Sequence, residues 1–65
     1  MANSLNVDPN LASPDDFYEA LISMHEGLTL EQSNLANAKL ILLLANHIGD
    51  LEILQIAMTT ARQDV

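Results

Sequence analysis

The chain has 65 residues, 49% of them hydrophobic, no cysteine, and a net charge of −7 with only Lys39 and Arg62 positive. That balance excludes nucleic acid, whose binding needs clustered cations to displace counterions, and it disfavours an anionic membrane surface. A domain of this size buries only about 60% of its unfolded surface and has no disulfide to help, so a lone monomer is marginal and association is the remedy.

The apolar residues are mostly Leu, Ile, Ala and Met, with almost no aromatics. That palette suits helix–helix packing and gives a β reading little to work with. Residues 1–11 sustain no period and read as a flexible arm. Its Leu5, Val7 and Leu11 are placed to lie as a strap over a partner. Residues 12–65 read as a single helical domain. Met1 to Leu5 carries no basic region followed by an apolar core, so no signal peptide is expected. The run Leu40 to Ala45 is far short of the ~20 residues that span a bilayer. The expectation is a bacterial cytoplasmic protein.

Three helices are predicted, over about 14–26, 30–48 and 51–62. Ser13-Pro14-Asp15-Asp16 is a start: Ser13 as side-chain N-cap, Pro14 at the first helical position, two aspartates at the positive dipole end. Phe17, Leu21, Met24 and Leu28 fall on one stripe of this first helix, and Gly27 stops it. Thr29 with Gln32 forms a capping box for the second helix, which Gly49 closes. Asp50 caps the third, and Arg62 suits its negative end.

The second helix is the centre of the chain. Only Gln32, Lys39 and Asn46, spaced seven apart, make a solvent-like meridian, and apolar residues occupy the other sides. One neighbouring helix cannot cover them all. The fold expected is therefore all-α, three short helices forming a bundle by homodimerisation across a two-fold axis. The dimer core is assigned to Asn37, Leu40, Ile41, Leu44 and Ile48. Asn37 would fix the register by pairing with its symmetry mate, Asn34 lying on the same apolar side.

Candidate contacts to a ligand or partner are few. His47 sits near the carboxyl end of the second helix, three residues before Asp50, where an imidazole can bond Asp50 or the last carbonyls. His25 falls on the apolar side of the first helix, beside Tyr18 on the wheel, as a boundary residue bonded to a carbonyl. No metal or other cofactor is expected: ligand pairs at zinc spacing are missing, and Gly49 interrupts His47–Asp50. Asp15, Asp16, Glu19 and Glu26 read as a solvated face, because catalytic carboxylates need a cleft that shifts their pKa.

Asp16-Phe17-Tyr18-Glu19-Ala20-Leu21, His25-Glu26-Gly27-Leu28, Glu31-Gln32-Ser33 and Leu42-Leu43-Leu44-Ala45-Asn46-His47-Ile48-Gly49-Asp50 resemble a family of small uncharacterised proteobacterial proteins that carry a domain-of-unknown-function label. The resemblance covers nearly all of the chain after the arm, with Ala45 to Asp50 its most specific part. It implies genes near flavoprotein monooxygenases of aromatic-compound breakdown, and so an accessory role. It supplies no catalytic residues. The reading is a non-enzymatic, dimeric helical module whose partners are itself and a larger protein. The alternative is a small-ligand binder with an apolar slot between subunits and His25, His47, Asn46, Asp50 and Tyr18 near it. Aromatic acids as its ligand follow from the resemblance alone.

Overall fold

A computed structural model describes residues 4–65. Three helices follow one another: α1 (Pro14–Met24), α2 (Leu30–Ile48) and α3 (Leu51–Ala61), with no strand among the described residues. Residues 4–13 run to α1 without helix or strand, and residues 1–3 of the expected arm lie outside the described residues. Within the arm Leu5 is half-buried, whereas Val7 and Leu11 are exposed.

The starts of α2 and α3 form as their caps dictate. The Thr29 hydroxyl accepts from the Gln32 amide at 3.2 Å, and the Gln32 side chain accepts from the Thr29 amide at 2.9 Å. Two of the four orphan donors of α2 are thereby satisfied reciprocally. Asp50 accepts from the Ile53 amide at 3.1 Å and so caps α3. The turn between them is Gly49, at φ +70°, in the left-handed region that costs glycine nothing.

Two boundaries differ from expectation. Ser13 makes no side-chain capping bond; its carbonyl takes the first helical bond, from the Phe17 amide at 3.0 Å. Pro14 and the two aspartates carry this start without it. At the other end α1 stops at Met24 instead of Glu26. The His25 and Glu26 amides reach back to Ile22 and Ser23, at 3.0 and 3.2 Å. These i→i−3 bonds tighten the last turn out of α-helical register two residues before Gly27, which then turns the chain at φ +77°. The third helix ends one residue short of Arg62, which becomes its C-cap.

No described residue is buried. Past the arm, the half-buried side chains fall in two groups. Leu21 and His25 at the end of α1 accompany Ser33, Ala36 and Leu40, which recur at three and four on α2. Ala45, Asp50, Ile53, Leu54 and Ala57 line the corner between α2 and α3. No two helices pack along their length. The molecule measures 44 × 27 × 24 Å with a radius of gyration of 13.8 Å, against about 11 Å for a compact chain of this length. Its accessible surface is 5938 Å² where a compact monomer of 7.1 kDa exposes about 4,100 Å².

Candidate functional site

Among the described residues, one side-chain hydrogen bond links the end of α1 to α2, between His25 and Asn37. The His25 Nε2 donates to Asn37 Oδ1 at 3.0 Å across twelve residues. His25 is delivered by the tight end of α1, and Asn37 lies one turn beyond Ser33 on the flank of the half-buried Ser33–Ala36–Leu40 stripe. The expected carbonyl partner of His25 is thus a side-chain amide. Asn37, expected to pair with a symmetry mate, engages its amide oxygen within the chain.

The assigned dimer core divides in the same way. Leu40 shares the phase of Ser33 and Ala36 and is half-covered by its own chain. Ile41, Leu44 and Ile48 turn aside from that seam and stay exposed, at 61%, 49% and 50%. Leu30, Asn34 and Asn37 continue their line toward the start of α2, at alternating spacings of four and three.

On the far side of α2, Lys39, Leu42, Leu43 and Asn46 line a shallow, mostly apolar cleft of about 380 Å³. Leu42 and Leu43 are each 69% exposed there. Lys39 and Asn46 were legible as a polar meridian and Leu43 as an apolar face open to a partner; that Leu42 is equally uncovered beside them was not. A second cleft, of about 430 Å³, lies along the outer side of α3 between Glu52 and Gln63.

The other candidates do not converge. His47 is exposed and bonds no side chain among the described residues, while the Asp50 carboxylate is taken up by its capping bond to Ile53. The expected contact between them is absent because the cap turns Asp50 toward α3. Tyr18 is 65% exposed on α1. Neither cleft is lined by Tyr18, His25 or His47. Among the described residues no three His, Cys, Asp or Glu side chains are grouped to hold a metal ion, and no helix is long and apolar enough to cross a membrane.

Comparison with known proteins shows one family. The family described as protein of unknown function (DUF2783) matches residues 5–63, and the chain belongs to it. No curated protein and no solved structure matches.

Proposed function

We propose that this member of the DUF2783 family is a non-enzymatic interaction module that works in the cytoplasm as a homodimer, with the Ile41–Leu44–Ile48 face of α2 at the two-fold axis. The observation that carries the reading is the surface. The chain exposes about 1,800 Å² more than a compact monomer of its mass, and Ile41, Leu42, Leu43, Leu44 and Ile48 of α2 are among the large apolar side chains left exposed. Exposed apolar area of that extent marks an interaction surface. Association is the way a small helical chain without disulfides completes a core.

The dimer would lend the module's remaining faces to a larger protein. That further partner rests on the resemblance to proteins encoded near flavoprotein monooxygenases and on the scarcity of reactive groups. Nucleic acid and membrane are left out of the reading because of the −7 charge. Sedimentation at micromolar concentration tests it. A concentration-dependent dimer is expected, and a well-folded monomer under those conditions would overturn the proposal. Leu44→Glu is expected to weaken this pairing at least tenfold, because it sets a carboxylate against its own symmetry mate in an apolar contact.

A further inference from the structure

We propose that the homodimer forms by parallel, in-register pairing of α2 with α2, and that Asn34, hydrogen-bonded to its own symmetry mate, locks the register. This rests on the homodimer above and adds an orientation, a register and the residue that fixes them.

The occupant follows from the repeat. Leu30, Asn34, Asn37, Ile41, Leu44 and Ile48 recur at spacings of four, three, four, three and four, from the first residue of α2 to the last, and all six are exposed. They form the a/d row of a heptad repeat, with Asn34, Ile41 and Ile48 at a and Leu30, Asn37 and Leu44 at d. Gln32, Lys39 and Asn46 stand about 180° round the helix from that row, where such a pair meets water. A row of period 3.5 is covered along its length only by another helix that winds around it. The row is about 27 Å long, whereas α1 and α3 have 11 residues each and reach about 16 Å. A second α2 matches it end to end.

The orientation follows from the residue types. Isoleucine at a with leucine at d favours two parallel strands. In a parallel, in-register pair each residue of the row meets its own copy. Asn34 then meets Asn34, and an amide both donates and accepts. The antiparallel pair of greatest overlap turns about Lys39 instead. It sets Asn34 against the partner's Leu44, with the amide facing hydrocarbon. Asn37 is engaged by His25, while Asn34 bonds no side chain among the described residues.

Charge permits the pairing. The row itself holds no ionisable side chain. Of the nine carboxylates only Glu31 lies within α2, about 100° round from the row, and a parallel pair puts its two copies on opposite flanks. Four others lie on α1 or just past it, and Asp8, Asp50, Glu52 and Asp64 lie in the arm, at the α3 cap, on α3 and in the tail.

Oxidative cross-linking of single-cysteine variants reads the orientation, since the chain has no cysteine of its own. Leu30→Cys alone and Ile48→Cys alone should each cross-link into a dimer; both side chains are exposed in the protomer. Their mixture should give little hetero-pair, because the two ends of the row stand about 27 Å apart. Hetero-pairs without homo-pairs, or no cross-link at either site, overturn the parallel arrangement, and a dimer in sedimentation still stands. A wild type that sediments as a monomer overturns the dimer and the pairing together. Asn34→Ile tests the lock. It should raise the melting temperature by several degrees and let the hetero-pair appear, since an asparagine at a fixes register at a cost in stability. An unchanged cross-linking pattern in that variant overturns the role of Asn34.

Discussion

His25 and Asn37 act as a clip between the first two helices. The bond is a single side-chain contact between half-buried His25 and exposed Asn37, so its net value is about 1 kcal/mol. A double-mutant cycle with His25→Ala and Asn37→Ala, followed by chemical denaturation, should return a coupling of about 0.5–1.5 kcal/mol. Additive effects would show that the clip contributes nothing. At Gly49 the issue is backbone conformation rather than space. A Cβ there would come no closer than 3.8 Å to the Asn46 carbonyl oxygen, an ordinary contact, but φ is +70°. Gly49→Ala should therefore cost about 1–2 kcal/mol in a denaturant titration. Asp64 also sits at positive φ, 62°, beyond α3, and aspartate tolerates this better than most residues.

At the level of the elements, caps separate the three helix starts. Thr29→Ala removes a side-chain bond from a capping box and should cost about 1 kcal/mol. Ser13→Ala removes no such bond and should cost a few tenths at most. Circular dichroism with thermal melts on the two variants checks the contrast, and equal losses would contradict it. The α2 and α3 caps were legible in sequence because a capping box and an Asp–helix start depend on residues three apart. The end of α1 was not. Its tightening into i→i−3 bonds accompanies the bond from His25 to Asn37, twelve residues away.

For the whole molecule, mass action is the governing effect. If cores are completed between copies, the melting temperature rises with protein concentration. Calorimetric or optical melts at 5 and 500 μM should differ by several degrees, with the higher value at higher concentration. A melting temperature independent of concentration would point to a self-sufficient monomer. The same logic makes α2 resistant to simple labelling as core or surface. Ser33, Ala36 and Leu40 are half-buried on it, while Ile41, Leu42, Leu43, Leu44 and Ile48 stay exposed.

The sequence by itself determined that the chain is helical, where α2 and α3 begin, that Gly49 turns the backbone, and that more apolar surface exists than one chain covers. These are consequences of spacing within a few residues, or of composition against mass. Only the tertiary structure decided how α2 is divided. It assigned Leu40 to the chain's own seam, tied Asn37 to His25, left Ile41, Leu44 and Ile48 open, and set Leu42 and Leu43 bare between Lys39 and Asn46. A helical wheel gives the angle of each side chain. It does not say which neighbour arrives at that angle, because the direction in which the two joints send α1 and α3 depends on contacts far apart in the chain.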